Sequence, residues 1–257
     1  SSDLLGAMAL KQGLRMQDLS FRYQRSGPDV LRGISWDVPV GRTVLLGPNG
    51  AGKSTLLALC ATALDARNGT ISVNGLDPAQ RSDRSAFRRS IGWMPQDIRP
   101  IAGLTSREQV AYVGWLKGLE RGDAWRQAGQ LLDQVALGED ADRPAGNLSG
   151  GQRRRLGLAQ ALMGAPTVLL LDEPSAGLDP AQRARFREII ATLDHSITVL
   201  VSTHQVDDLT ELFDHVVVIH AGSLVWHGTV ETFMALAPEG AQRPAEAAYA
   251  QIVPGVD

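Results

Sequence analysis

A nine-residue stretch, residues 47–55, constrains this chain more than any other feature of its sequence. It reads GPNGAGKST and lies between two apolar runs, residues 43–46 before it and residues 56–59 after it. A strand, a glycine-rich turn and a helix in this order form the context of a phosphate-binding loop. The glycines let successive backbone N–H groups converge on one point, and the dipole of the following helix favours an anion there. The stretch predicts a site for a nucleoside triphosphate.

Two side chains of this stretch have chemistry of their own. Lys53 can reach the β- and γ-phosphates, and the Ser54 hydroxyl can take a place on Mg²⁺. The alternative is an ordinary glycine-rich turn with a surface lysine. Nine residues in register between the two expected flanks disfavour that alternative.

The length and composition set the class of protein. With 257 residues, 44% of them hydrophobic, the chain can form one large domain or one domain with lobes. A net charge of −3 argues against nucleic acid as a partner. The single cysteine, Cys60, excludes an internal disulfide framework, and its place just inside a predicted helix indicates a small core residue.

The chain has no apolar run near the roughly 20 residues that span a bilayer. Residues 1–13 lack a basic patch ahead of an apolar stretch, so we expect no secretory signal there. We therefore expect a chain that is soluble by itself and cytoplasmic.

Short strands precede the phosphate-loop helix, and one follows it. Residues 14–23 and 33–38 are typical of strands, and residues 71–75 of a short hairpin arm. They predict a small antiparallel sheet beside an α/β core. Tyr23, at the end of the first strand, either stacks on a nucleotide base or packs across the sheet, and the sequence leaves both open.

A helical region follows. Residues 105–108 form a capping box, and Val110, Val113, Trp115, Leu116 and Leu119 recur at helical spacing. We expect Gly122 and Asp123 to break this helix. Trp125, Ala128, Leu131, Leu132 and Val135 then share one face of a second helix. Both stripes predict packing surfaces of a helical lobe, part of which can receive a partner helix.

Three further stretches carry polar chemistry. Ser149 has the character of a helix N-cap beside two glycines, which predicts a second anion site, whereas the following arginines, residues 153–155, are expected on a solvated face. Residues 168–174 are typical of a buried parallel strand that ends with Asp172 and Glu173 in the ligand crevice. A structural salt-bridged pair is the disfavoured alternative. His204 ends the next buried strand, at the same sheet edge.

Taken in their order along the chain, these motifs resemble those of ATP-binding cassette (ABC) ATPases. They are GPNGAGKST, Gln96 after a strand-like run, LSGGQ at residues 148–152, VLLLDEP, SAGLD and His204. The resemblance covers about residues 14–236. It implies an α/β fold, a P-loop NTPase RecA-like core with a small antiparallel β subdomain and an α-helical subdomain at about residues 97–165. An N-terminal extension, residues 1–13, and a C-terminal tail, residues 237–257, flank this domain.

The resemblance also implies roles for residues at these positions. Glu173 resembles the general base, His204 the γ-phosphate sensor, and Gln96 the mobile glutamine that senses Mg²⁺ and the attacking water. Asp172 supports Mg²⁺ together with Ser54 and Gln96. The residues expected to bind ATP are Tyr23, Gly47, Pro48, Asn49, Gly50, Ala51, Gly52, Lys53, Ser54, Thr55, Ser149, Gly150, Gly151, Gln152 and Asp179.

Partners follow from the same resemblance. ABC ATPases work as head-to-tail pairs, with ATP between the phosphate loop of one subunit and the LSGGQ stretch of the other, so a second ABC ATPase subunit, identical or different, is implied. Asp179 is then expected at the subunit interface. A separate transmembrane permease is implied as well, with a cytoplasmic helix that enters the groove beside Gln96 and the helical lobe. This arrangement places the chain at the cytoplasmic face of the cell membrane.

The direction of transport is expected to be outward. Residues 138–146 lack the TEVGE-like motif of fused multidrug exporters, whereas SAGLDP and residues 244–249 resemble stand-alone exporter ATPases of the ABC-2 type. The alternative is a soluble ABC protein that acts in translation, DNA repair or cofactor assembly. The sequence shows neither a second phosphate loop nor a heptad array, which such proteins usually carry.

Overall fold

Two sheets form the framework of the chain. The structure is a computed structural model that describes residues 13–204 and 212–253. Its strands are β1 (Leu14–Phe21), β2 (Leu31–Asp37), β3 (Gly41–Leu46), β4 (Asn68–Val73), β5 (Ile91–Met94), β6 (Val168–Asp172), β7 (Thr198–Thr203), β8 (His215–His220) and β9 (Ser223–Thr229). A three-stranded antiparallel sheet has the order β2-β1-β4, and a six-stranded sheet has the order β5-β6-β7-β3-β8-β9. The predicted small antiparallel sheet beside an α/β core is confirmed.

Helices cover both faces of the larger sheet and form a lobe of their own. They are α1 (Lys53–Cys60), α2 (Arg84–Ser90), α3 (Ser106–Leu116), α4 (Arg121–Gln134), α5 (Gly150–Leu162), α6 (Pro180–Ala191), α7 (Val230–Met234) and α8 (Pro244–Ile252). Within the described ranges, none of these helices has the length and apolarity required to cross a bilayer.

The centre of the larger sheet is parallel and fully buried. β3 pairs with β7 on one side and β8 on the other, β6 pairs with β7, and every residue of β3, β6 and β7 is buried. Strands covered on both faces read as continuous apolar runs, which is how they were predicted. Because Leu46 pairs with Thr203 and Asp172 with Ser202, the carboxyl ends of three strands meet at one sheet edge.

The helical lobe packs α3 and α4 against α5. Val110, Ala128 and Leu132 are buried in a cluster shared with α5, and the predicted capping box at Thr105 is present. The expected helix break at Gly122 and Asp123 is wrong, because both residues lie inside the first turn of α4. The break comes earlier, at Gly118, whose φ of 88° is the left-handed conformation that ends helices.

Part of the predicted packing stripe on α3 faces outward. Trp115 is 60% exposed and Leu116 is 61% exposed, whereas Val110 is buried. A helix turns about 100° per residue, so Trp115 lies about 140° around the axis from Val110. The prediction of one packing face for all of these residues is therefore wrong.

The end of the chain packs onto the sheet. Ala248 of α8 and the following Val253 are buried with Phe233 of α7 against Val44 and Val218. The part of the expected C-terminal tail that forms α8 therefore covers one face of β3 and β8. Of the predicted N-terminal extension, residues 1–13, only Gly13 lies within the described residues.

The cysteine offers a test of this packing. Cys60 ends α1 fully buried, its Sγ 3.6 Å from Sδ of Met16, and burial raises its pKa to about 12. The prediction of a small core residue is confirmed.

We predict that a thiol reagent such as Ellman's reagent labels native Cys60 at pH 8 at least 100-fold more slowly than the unfolded chain, because the thiolate is both buried and disfavoured. Absorbance at the released chromophore measures the two rates. Comparable rates in the native and urea-unfolded states would contradict the placement of α1 against β1.

Candidate active site

The loop between β3 and α1 turns sharply, and two of its glycines are required by geometry. Gly52 has a φ of 107°, and a Cβ there would lie 3.1 Å from the carbonyl oxygen of Val30. A Cβ on Gly47 would lie 2.4 Å from the carbonyl oxygen of Ile219, at the end of β8. The loop thus passes close to neighbouring backbone and delivers the chain to the first turn of α1.

Lys53 holds a positive charge beneath this loop. Its Nζ donates hydrogen bonds to the carbonyl oxygens of Gly47 at 2.7 Å and Pro48 at 3.2 Å, and lies 3.6 Å from Oε1 of Glu173. Burial lowers the pKa of Lys53, and the charges of Glu173 and Asp172 oppose that shift. The Lys53 ammonium is therefore held among oxygen acceptors. A bound phosphate group could take the place of some of these oxygens.

Two hydroxyls meet on one oxygen of Asp172. Ser54 Oγ donates to Oδ1 of Asp172 at 3.0 Å, and Ser202 Oγ donates to the same oxygen at 2.6 Å. The N–H of Glu173 in turn donates to both the carbonyl oxygen and the Oγ of Ser202, at 3.1 and 3.0 Å. Ser202 therefore holds the two consecutive acids in place from the neighbouring strand.

Glu173 stands where β6 ends, in an unusual backbone conformation. Its φ of 46° lies in the left-handed region, which is strained for a residue with a side chain. Its side chain is only 8% exposed, and Nδ1 of His204 lies 3.1 Å from each carboxylate oxygen. His204 is 45% exposed, so the pair joins a buried carboxylate to the open side of the site.

Tyr23 and Gln96 line the same cleft. Tyr23 is 60% exposed, packs edge-to-face on Phe21 at 5.0 Å between ring centroids, and shares a 3.0 Å hydrogen bond with Thr55. Phe21 ends β1 two residues before Tyr23, so this ring contact is local and does not cross the sheet. The stacking of Tyr23 on a base stays a prediction. Gln96 is exposed two residues beyond β5.

These groups border one cleft of about 520 Å³ at the edge of the central sheet. Its lining residues are Tyr23, Val30, Pro48, Asn49, Gly50, Gly52, Lys53, Ser54, Thr55, Gln96, Glu173, Ala176 and His204. Asp172 lies directly behind Ser54. A lysine, paired hydroxyl and carboxylate oxygens, and a histidine-bound carboxylate can together hold a polyphosphate with a divalent cation and accept a proton from water.

The second predicted anion site lies apart from this cleft. Ser149 caps α5 through a capping box, since Gln152 N–H donates to its Oγ at 3.2 Å. Gly151 packs so closely on Gln182 that an added Cβ would lie 2.0 Å from its Oε1. Asp179 caps α6 by accepting from the N–H of Gln182 at 2.8 Å. The LSGGQ stretch and Asp179 therefore form one surface, joined through Gln182, and neither contributes to the lining of the cleft.

Sequence reasoning missed two residues of the site. Ser202 was assigned only to a strand, although a hydroxyl at the buried end of a strand next to two acids is a usable signal. The arginines at residues 153–155 are expected on a solvated face, and that expectation is wrong, because all three are partly buried. Arg154 donates to the carbonyl oxygens of Gln96 and, at 3.3 Å, Ala176. No local pattern separates Arg154 from its neighbouring arginines, because tertiary contacts alone select it.

Comparison with known protein families gives a match over the centre of the chain. The family model described as ABC transporter matches residues 31–176. An uncharacterized ABC transporter ATP-binding protein of Bacillus subtilis, YxlF, is 36% identical over 204 residues, which cover 79% of this chain and 67% of that protein. The daunorubicin/doxorubicin resistance ATP-binding protein DrrA of Streptomyces peucetius is 37% identical over 79% of this chain and 62% of its own.

A methionine import ATP-binding protein of Caulobacter vibrioides also matches, at 34% identity over 90% of this chain and 71% of its own length. The chain thus spans roughly two thirds of the length of these three relatives. Among solved structures, an ATP-binding subunit of an ABC transporter superposes with a TM-score of 0.78 at 26% identity, covering 94% of this chain and 99% of its own. The dimeric bacterial ABC transporter cassette MJ0796 has the same fold, with a TM-score of 0.75 at 21% identity and coverage of 84% and 98%.

The lysine beneath the loop provides the test of the cleft. We predict that Lys53→Ala weakens binding of a non-hydrolysable ATP analogue with Mg²⁺ by about 10- to 100-fold, the cost of losing hydrogen bonds from a charged donor. Isothermal titration calorimetry measures the dissociation constant. Arg89→Ala, which removes an exposed cation elsewhere, is the control and should bind like the wild type. Unchanged affinity in Lys53→Ala would exclude the cleft as the phosphate site.

Proposed function

The chain belongs to the ABC transporter family, and on that premise we propose that it is the ATP-hydrolysing subunit that powers a separate membrane permease. Its enzyme class is that of the ABC ATPases. The observation that carries the proposal is the convergence of Lys53, Asp172, Glu173 and His204 at one edge of the central sheet, all within hydrogen-bond or ion-pair reach of a neighbour.

The residues of the site fit a magnesium ion. Ser54 Oγ and Asp172 Oδ1 are hard oxygen donors 3.0 Å apart, and Mg²⁺ is usually bound in proteins through one or two carboxylates together with substrate phosphates. Gln96, at the cleft wall, supplies a further amide oxygen. When bound, the ion would neutralise charge on the phosphate oxygens. We propose Ser54, Asp172 and Gln96 as its protein ligands.

Glu173 is proposed as the general base. Its carboxylate borders the cleft while its backbone is clamped by Ser202, so it can accept a proton from a water held against the terminal phosphate. His204 orients that carboxylate through contacts to both oxygens, and its exposed edge can sense the γ-phosphate. Lys53 balances the charge of the β- and γ-phosphates from below the loop.

We propose that Tyr23 stacks on the adenine and that residues 47–55 cradle the phosphates. The ring is exposed at the cleft wall, and stacking is worth about 1–3 kcal/mol per base. We further propose one ATPase domain at residues 14–236, with its helical lobe at about residues 97–165. The tail, residues 237–257, attaches to that domain through α8.

Two copies of such a cassette are proposed to share each ATP. ABC cassettes dimerise. In this chain the LSGGQ surface does not line the chain's own cleft, so this second anion site cannot bind the nucleotide held there. Ser149 and its following glycines, with Asp179 beside them, are therefore proposed to close the cleft of a second ABC ATPase subunit. Loss of the γ-phosphate removes the contact that bridges the subunits and so favours opening.

A groove on the helical lobe is proposed to receive the permease. It measures about 420 Å³ and lies between α3 and α4, and its lining residues are Leu104, Glu108, Ala111, Tyr112, Trp115, Arg121, Ala124 and Trp125. Tyr112 and Trp115 stack at 5.8 Å between centroids, and Arg107 lies 4.4 Å from the ring centroid of Trp125. Exposed aromatic groups beside charged ones suit a short amphipathic helix, which we propose is a cytoplasmic helix of the permease.

We propose that this docking keeps the chain at the cytoplasmic face of the membrane. We propose outward transport, because the resemblance to ABC-2 exporter ATPases in SAGLDP agrees with the similarity to the daunorubicin/doxorubicin resistance protein. The similarity to a methionine import protein reflects features of the ATPase that import and export proteins have in common.

The base assignment has a direct test. We predict that Glu173→Gln binds ATP with wild-type affinity and loses about 10²- to 10⁴-fold in turnover, because the amide cannot accept the proton. Phosphate release under saturating Mg-ATP measures turnover, and calorimetry measures affinity. Hydrolysis near the wild-type rate would rule out Glu173 as the base.

The permease groove is tested by an exposed residue. We predict that Trp115→Glu lowers the fraction of the chain that sediments with cell membranes by about tenfold or more, since a charge would be buried against an apolar partner helix. ATP hydrolysis by the isolated chain should stay within about twofold of wild type, because the groove shares no lining residue with the cleft that holds Lys53 and Glu173.

Val225→Glu is the matched control, because Val225 is an exposed apolar residue on β9, outside the helical lobe. Quantitative blotting of membrane and soluble fractions measures the effect. Equal sedimentation of Trp115→Glu and Val225→Glu would exclude this groove, and a wild-type chain that never sediments with membranes would support the soluble class of ABC protein.

A further inference from the structure

The loop that begins at Gln96 lies along one face of α5, the helix that starts with the LSGGQ glycines. Arg154 donates to the carbonyl oxygen of Gln96. One turn further on, Gly157 packs under Ile98 so closely that an added Cβ would lie 2.6 Å from Ile98 Cδ1. Contacts spaced three residues apart on a helix share one face. The first part of the loop is therefore seated on α5.

The far end of the loop is tied to the same helix through Gln109. This glutamine of α3 is buried, and its Oε1 accepts from the N–H of Ile101 at 2.8 Å. Its Nε2 donates to the carbonyl oxygen of Arg99 and to Oε1 of Gln160 on α5, both at 3.3 Å. Gln160 is again three residues beyond Gly157. Residues 96–101 thus follow α5 over two turns.

Arg154 does more than hold one end of this loop. Its second guanidinium nitrogen donates to the carbonyl oxygen of Ala176, in the turn that follows Glu173. Gln96 and Ala176 both line the cleft, so a single side chain bridges two of its walls. A guanidinium is planar and presents its donors in a fixed fork, and it stays charged even where burial lowers its pKa, as it does for Arg154.

We propose that Arg154 is a positioning residue for hydrolysis, which keeps the Gln96 loop and the turn after Glu173 in register by binding both to α5. The inference rests on the proposed function, because Gln96 and Glu173 have roles in a reaction only if the chain hydrolyses ATP.

A small displacement of groups that position a reactant is costly. A misplacement of about 1 Å by a change outside the reacting atoms can cost about 10²-fold in rate. Arg154→Met should therefore lower kcat by about 10- to 100-fold and leave KM for ATP within about threefold, because Arg154 does not line the phosphate loop. Arg154→Lys keeps the positive charge but lacks the fixed pair of guanidinium donors, so it should recover only part of the lost kcat.

The control is Arg89→Met, which removes an exposed arginine that bonds Ser85 on its own helix, α2. Its kcat and KM should match those of the wild type. Gln96→Ala supplies the decisive comparison. If Arg154 acts through Gln96, the double variant should be no slower than about the slower single variant, whereas independent effects would multiply.

Hydrogen exchange of the full chain provides a readout besides activity. We expect amides of residues 97–101 and 175–178 to exchange at least tenfold faster in Arg154→Met, with those of β6 and β7 unchanged. Three results would each overturn the proposal. They are losses of kcat that multiply in the double variant, a wild-type kcat in Arg154→Lys, and unchanged hydrogen exchange of both segments in Arg154→Met. An absence of ATP hydrolysis in the wild type would instead overturn the proposed function, while the exchange experiment still decides whether Arg154 joins the two walls.

Discussion

The site depends on the pairing of β6 with β7, and above all on the hydroxyl of Ser202. The register that places Asp172 opposite Ser202 lets one side chain bond a carboxylate oxygen and receive the N–H of Glu173. The left-handed backbone of Glu173 costs about 1–3 kcal/mol, and hydrogen bonds of this kind contribute about 0.5–1.5 kcal/mol each, or more when one partner is charged. The strain energy and the hydrogen-bond energy are of the same order. The hydrogen bonds to Ser202 can therefore hold Glu173 in its strained conformation.

The neighbouring strands hold the phosphate loop at this edge of the sheet. β3 is central to the sheet and buried along its whole length, so the phosphate loop starts from a rigid base, and the end of β8 limits it from the other side. The charged groups of the site lie at the same edge. Lys53 lies under the loop with Glu173 as its neighbour, and the histidine that completes the set enters from the end of β7. Consecutive strands thus provide cation, hydroxyl, acids and histidine at a single edge.

The helical lobe is linked to the larger sheet by one continuous apolar cluster, in which Val110 and Leu132 pack together with Leu169 and Val199, and by several polar contacts. Lys117, at the end of α3, donates to the carbonyl oxygens of Ile91 at the start of β5 and Met163 after α5. Burial lowers its pKa to about 8. Gln109 and Arg154 provide further polar links, both to the loop that starts at Gln96. These polar contacts fix the lobe at the start of β5, at the end of α5 and along the loop that starts at Gln96.

The sequence by itself determined the elements and most of the chemistry. The phosphate loop, the two acids, the buried strands, the capping box at Thr105 and the N-cap at Ser149 depend on local conformational preference and on short-range periodicity, which the sequence displays directly. It placed Trp115 and Leu116 in a packing face and put Arg154 on a solvated face. Only the tertiary structure decided these, because each depends on which segments distant in sequence come together. Strand order brings Ser202 to Asp172, and the folding of residues 96–101 along α5 selects one arginine of three, with carbonyl oxygens from two separate turns as its partners.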